Sequence, residues 1–235
     1  MAHEGYIVRF EGVWAGYDGP DVLEELDFDV TPGEVAIVSG PTAAGKTSLL
    51  HMLRLALPPR AGEAHVLGED IARMPEKRRA KLKRRIGYIA EEPVFVEDWT
   101  TFENIALPLK MAGRKPAEYA EDVRELLAFV GMSDAEQELT RRLSFAERRR
   151  IAIARALAGK PDLILADEPA AGQSPENAQR TFRLLAEIRR VGASVVIATQ
   201  SEHLAEGIEA THWHIRQGRI ARAGETPFSE MEHFS

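Results

Sequence analysis

The run Gly40-Pro41-Thr42-Ala43-Ala44-Gly45-Lys46-Thr47 constrains this chain more than any other stretch. Before it stand Val35, Ala36, Ile37 and Val38, a continuous apolar run of the kind a strand covered on both faces requires. After it, Leu49, Leu50, Leu53 and Leu57 form a helical stripe that Pro58-Pro59 closes. Strand, glycine loop and helix are the context in which G-x-x-x-x-G-K-[ST] binds phosphate. The glycines let the backbone curl so that its N–H groups face an anion, and the helix N-terminus adds positive potential. The pattern assigns Gly40 to Thr47, with Ser48, to a phosphate cradle. Lys46 would reach the β- and γ-phosphates, and Thr47 would supply a hydroxyl to Mg²⁺.

A second signal follows about 120 residues later, in Leu163-Ile-Leu-Ala-Asp167-Glu168-Pro169. An aspartate at the end of a buried strand can hold Mg²⁺. A carboxylate next to it can polarise an attacking water. Together these two sites point to a nucleoside triphosphate.

The rest of the chain supports an α/β reading. Leu26, Phe28 and Val30 alternate with Asp27 and Asp29, as in a half-buried strand. Ile86 to Ala90 and Val195 to Ala198 read as further strands, and His212 to Ile220 as a hairpin turning at Gln217-Gly218. Between Thr101 and Leu157 the pattern is mainly helical. Tyr119, Val123, Leu126, Leu127 and Val130 share one face, and Pro116 fits that helix's first turn. Phe182, Leu185 and Ile188 line another helical face. Buried strands interleaved with helices give a largely parallel sheet, into which the helical middle is inserted.

Composition removes other classes. The 235 residues include no cysteine, which excludes disulfide frameworks, thiolate metal sites and thiol nucleophiles. A net charge of −7 argues against a non-specific nucleic-acid binder. No secretory leader and no stretch of 18 apolar residues is visible, which implies a cytoplasmic protein. The cations of Arg73 to Arg85 read as a solvated helix or as a strip facing anionic lipid. His212 and His214 share a strand face but show no third metal ligand. Arg141, Arg142, Arg148, Arg149 and Arg150 read as exposed helix charges.

From Ile7 to about Gly224 the chain resembles the ATP-binding subunits of ABC transporters. Gly40 to Thr47 matches the Walker A loop, and Leu163 to Glu168 matches Walker B with its catalytic glutamate. Leu143-Ser144-Phe-Ala-Glu147 stands where the family signature belongs, and Thr199-Gln200 at the switch position. The resemblance implies a P-loop NTPase fold of the ABC ATPase type. That fold has a mixed, mainly parallel core sheet, N-terminal antiparallel strands and an inserted helical subdomain. The whole of 1–235 would be one nucleotide-binding domain, its core about 1–91 and 158–235, its helical part about 92–157. The implied ligands are ATP and Mg²⁺. Tyr17 would stack on adenine, Ser144 would contact nucleotide, and Thr47, Glu91 and Asp167 would hold the metal. Glu168, Lys46 and Gln200 would carry catalysis.

Three stretches resemble the cell-division branch typified by FtsE: the loop from Ser39, Thr101-Phe-Glu-Asn-Ile-Ala-Leu-Pro-Leu, and Arg190-Val-Gly-Ala-Ser-Val-Val-Ile-Ala-Thr. That branch implies a homodimer with ATP at its interface and an FtsX-like membrane partner contacting Glu91 to Trp99. It also implies cytoplasmic division proteins as further partners and a place on the inner face of the membrane. The alternatives are an exporter or lipoprotein-release ATPase, and a scaffold that binds nucleotide without hydrolysing it. Four features, at five positions, depart from the family pattern. Glu91 replaces glutamine, Phe145 and Ala146 replace the signature glycines, Ser174 replaces aspartate and Gln200 replaces histidine. These changes imply weakened turnover, or pairing with a different, intact subunit.

Overall fold

The computed structural model describes residues 5–224. The ends of the expected 1–235 domain lie outside them. A four-stranded sheet contains β1 (Val8–Ala15), β2 (Leu23–Val30), β4 (Ala61–Val66) and β5 (Glu69–Asp70), in the order β2-β1-β4-β5. All its pairings are antiparallel. A six-stranded sheet contains β3 (Val35–Ser39), β6 (Ile86–Ile89), β7 (Leu163–Asp167), β8 (Ser194–Thr199), β9 (Thr211–Arg216) and β10 (Arg219–Arg222). Its order is β10-β9-β3-β8-β7-β6, and only the β9–β10 hairpin is antiparallel.

Alternate residues of the larger sheet feed two cores. Val35, Ile37, Ile164, Val195 and Ile197 enter one core, with α3 (Thr101–Met111), α4 (Ala120–Phe129), α5 (Phe145–Leu157) and α6 (Pro175–Glu187). Ala36, Val38, Leu163, Leu165 and Val196 enter the other, with α1 (Lys46–Leu53) and the antiparallel sheet. Both faces are covered, so the central strands are apolar throughout.

The register brings the two sequence signals together. Ser39 pairs with Thr199, and Asp167 pairs with Ala198. The loop at Gly40, the pair Asp167-Glu168 and Gln200 therefore leave the sheet side by side at its carboxyl edge, where open α/β sheets bind ligands.

Two expectations are revised, and the basic run takes its solvated-helix reading. Helix α1 ends at Leu53, because the chain turns through Leu55 at φ 62° and Ala56 donates to His51 O at 2.7 Å. Leu57 still reaches the core. Pro116 opens a separate 3₁₀ turn, and α4 starts only at Ala120 because Tyr119 leaves the helical region at φ −134°. The basic run forms α2 (Glu76–Lys83), where Arg78 pairs with Glu69 at 2.6 Å and, beyond the helix, Arg85 pairs with Asp162 at 2.7 Å. Among the described residues, no helix is long and apolar enough to cross a membrane.

Candidate nucleotide site

The phosphate loop needs its glycines for space. A Cβ on Gly40 would lie 2.2 Å from the Ile215 carbonyl oxygen. One on Gly45, at φ 108°, would lie 2.9 Å from the Leu23 side chain. Around them Ala43 also takes a left-handed φ of 61°. This curled backbone leads directly into α1 and leaves Lys46 buried at its start.

Lys46 folds back on its own loop. Its Nζ donates to Gly40 O at 2.8 Å and Pro41 O at 3.0 Å, and lies 3.5 Å from Glu168 Oε1. Glu168 holds φ at 41°, a strained setting for a non-glycine residue of the kind found at working sites. Its N–H donates to Ala198 O at 2.9 Å, which fixes that conformation. Its Oε2 accepts from Gln200 N at 3.2 Å. Thr42 Oγ1 donates to Gln200 Oε1 at 3.1 Å, so the amide nitrogen is the end of Gln200 left to meet an incoming oxygen.

These groups line one cleft of about 330 Å³, with Val22, Thr42, Ala43, Gly45, Lys46, Thr47, Ser48, Glu91, Glu168 and Gln200 on its walls. Gly40 and Pro41 contribute the carbonyls that hold Lys46, while Ala44 is buried beneath the loop. Asp167 is buried at the strand end, where Tyr88 O–H donates to Oδ2 at 3.3 Å. Its Oδ1 is buried with no hydrogen-bond partner. That orphaned oxygen and the Thr47 and Glu91 side chains on the cleft wall offer only oxygen donors, the ligand chemistry a hard divalent cation takes. The residues therefore fit Mg²⁺.

Besides Gly40, Pro41, Ala44 and Asp167, two further expected residues, Tyr17 and Ser144, are not among the cleft walls. Tyr17 is half exposed, and its hydroxyl shares a 2.8 Å hydrogen bond with His51 Nδ1 on α1. Burial lowers the His51 pKa, the charge of Arg54 adds to this, and Asp167 opposes both. Ser144 caps α5. Its Oγ accepts from Glu147 N at 3.4 Å, and Glu147 Oε2 accepts from Ser144 N at 2.8 Å. Bonds to Ser144 hold the Glu147 carboxyl below its ordinary pKa.

Sequence reasoning missed Tyr88, Val22 and His51. Tyr88 was findable, since it stands in an expected strand that flanks Asp167. The reading of the signature arginines as exposed holds for Arg141 and Arg142 and is corrected for Arg148, Arg149 and Arg150. Arg149 is only 2% exposed and donates to Ala90 O at 3.1 Å. Arg148 makes two bonds to the Glu97 carboxylate, at 2.9 and 2.7 Å. It also stacks with Arg155 on Phe95, their guanidinium carbons 4.9 and 4.6 Å from the ring centre. Ser174, expected to be aspartate, caps α6 by accepting from Asn177 N at 3.4 Å. The histidine pair has a carboxylate neighbour the sequence did not show. Glu202 Oε1 lies 3.7 Å from both His212 Nδ1 and His214 Nε2. Among the described residues, no group of three such side chains has the geometry of a metal site.

Known proteins give the same reading. A family profile described as ABC transporter matches residues 23–171. The lipoprotein-releasing system ATP-binding protein LolD of Bacteroides thetaiotaomicron is 32% identical over 92% of this chain and all of its own. LolD 1 of Rhodospirillum rubrum is 36% identical over 86% of this chain and 90% of its own. Among solved structures, cbiO1 of Clostridium perfringens, part of the ABC transporter complex cbiONQ, superposes with a TM-score of 0.86 at 25% identity. That match covers 93% of this chain and 88% of cbiO1. A dimeric ATP-binding cassette in a post-hydrolysis state with ADP and Pi shares the fold at a TM-score of 0.81 and 22% identity. It covers 93% of this chain and 100% of its own. Profile and relatives together show that this chain belongs to the ABC transporter ATP-binding family.

Proposed function

We propose that this chain is the ATP-hydrolysing subunit of a lipoprotein-releasing complex, working with integral membrane subunits at the inner face of the membrane. The observation that carries the reading is likeness to LolD proteins over 86% and 92% of the chain. The cell-division reading that the sequence favoured rests on three short stretches, so the longer likeness to lipoprotein-release proteins, its stated alternative, outweighs it. A homodimer enclosing ATP agrees with the dimeric cassette of the same fold.

The chemistry follows from the cleft. ATP phosphates draw Lys46 Nζ from Gly40 O and Pro41 O, since a phosphate is a stronger partner for a cation than a neutral carbonyl. Lys46 then leaves Glu168 Oε1, while Gln200 N–H keeps Oε2 in place. Glu168 can now accept a proton from the attacking water. Mg²⁺, held by Thr47, Asp167 and Glu91, would neutralise charge on the β- and γ-oxygens. In this reading Tyr17 stacks on adenine, and Ser144 faces the nucleotide of the opposite subunit. Residues 92–157 then form the helical subdomain, with Glu91 to Trp99 meeting the membrane subunits.

The test is reconstitution with the membrane subunits in vesicles that carry a lipoprotein. ATP should release lipoprotein to a soluble acceptor, and Glu168→Gln should slow turnover by about 10²–10⁴-fold, the worth of a general base. Equal turnover in wild type and Glu168→Gln would favour the non-hydrolysing scaffold. Absent release together with activation of a cell-wall hydrolase would restore the division reading.

A further inference from the structure

Ser39 is the polar end of an otherwise apolar central strand, buried where β3 stops and the phosphate loop begins. The chemistry of the cleft does not use it. Its Oγ shares a 2.7 Å hydrogen bond with His214 Nδ1 on β9 and lies 3.4 Å from Glu202 Oε2. Trp213 O, 3.3 Å away, is a further acceptor in reach. The register explains the meeting. Ile37 and Ser39 pair with His212 and His214, which brings both imidazoles beside the end of β3. On its other side Ser39 pairs with Thr199 of β8, and two residues later the chain opens a 3₁₀ turn at Glu202–Ala205. A hydroxyl has one proton to give. Given to Glu202, it leaves Ser39 Oγ to accept from His214 Nδ1–H. The bonds then run from His214 through Ser39 to Glu202, whose other oxygen faces both imidazoles at 3.7 Å.

The segment held in this way carries Gln200. Its N–H donates to Glu168 Oε2, and its Oε1 accepts from Thr42 Oγ1. Only Ser201 separates it from Glu202, and Ser201 N–H donates to Thr199 Oγ1 at 3.0 Å, which keeps that short link folded. A shift of Glu202 therefore reaches Gln200 through two planar peptides. We propose that His214 is a positioning residue for Gln200: through Ser39 and Glu202 it holds the segment after β8 against the start of the phosphate loop, so that the Gln200 amide stands where a γ-phosphate arrives. This inference rests on the cleft being a nucleotide site. It makes the choice between a triphosphate and a diphosphate depend on an imidazole that is not among the cleft walls.

The experiment compares the affinity of the whole chain for ADP and for the non-hydrolysable triphosphate AMP-PNP, both with Mg²⁺, by titration calorimetry. His214→Leu should weaken AMP-PNP binding about 3- to 10-fold, the net worth of one hydrogen bond, and leave ADP within about 2-fold. His214→Asn, whose amide can stand in for Nδ1–H, should bring AMP-PNP back to within about 2-fold of wild type. Ser39→Ala should match His214→Leu, and the double variant should be no worse than either, because both break one chain of bonds. Equal losses for the two nucleotides, no loss for either, no rescue by His214→Asn, or additive losses in the double variant would overturn the proposal. If His214→Leu does not fold, Ser39→Ala carries the comparison of the two nucleotides. Failure of both to fold would make the cluster structural only and overturn the proposal as well. A wild-type chain that binds neither nucleotide loses the nucleotide site and this inference together. Wild-type binding with equal losses in the variants removes this inference alone.

Discussion

Phe145 presents half of its surface to solvent at the first position of α5, where the family pattern has glycine. A ring there blocks close approach of the backbone to an anion, and Ala146 adds a second Cβ beside it. The double substitution Phe145→Gly/Ala146→Gly should raise ATP turnover by up to about 10²-fold, the value of one recovered oxyanion donor. Glycines at the first two positions of α5 should also lower stability, together by less than the about 2 kcal/mol that two interior glycines cost. Steady-state hydrolysis with the membrane subunits, set beside thermal unfolding, checks both effects. Unchanged turnover would mean that Phe145 does not limit the reaction.

At the scale of elements, the start of α3 is a heavily tied junction. Thr100 and Glu103 form a capping box. One turn in, buried Asn104 binds the incoming loop from both sides. Its Oδ1 accepts from Val96 N at 3.0 Å, and its Nδ2 donates to Val96 O at 3.0 Å and Thr100 O at 3.1 Å. Asn104→Leu should cost about 1–3 kcal/mol for each buried group left unpaired, as read by denaturant unfolding. A loss below about 1 kcal/mol would show that water replaces the amide. Elements of this kind differ in how clearly the sequence announces them. Strands β3, β7 and β8 are legible because burial on both faces demands continuous apolar runs. Strand β1 is hidden because a register shift between Phe10 and Val13, with Gly12 at φ 55°, breaks its alternation. Strand β4 is hidden because Ala61-Gly-Glu-Ala carries little apolar signal. In the site, the loop and the acidic pair are legible from spacing. The burial of Arg149 is not, since it depends on Phe145 and Ala90, which only the fold brings to it.

For the molecule as a whole, the proposed assembly has a direct test. With Glu168→Gln to suppress hydrolysis, ATP should double the mass of the chain measured by light scattering. A single-chain mass at saturating ATP would mean that Phe145 prevents closure or that a different subunit completes the pair. Within each chain, the central sheet divides the interior into two compartments. Neighbouring residues such as Ile37 and Val38 belong to different ones. Substitutions more than about 7–10 Å apart with no shared partners combine additively. The face that packs the helices of the middle segment can therefore drift in sequence with little compensation from the face beneath the phosphate loop. One chain can keep an old engine and change its coupling to the machinery around it.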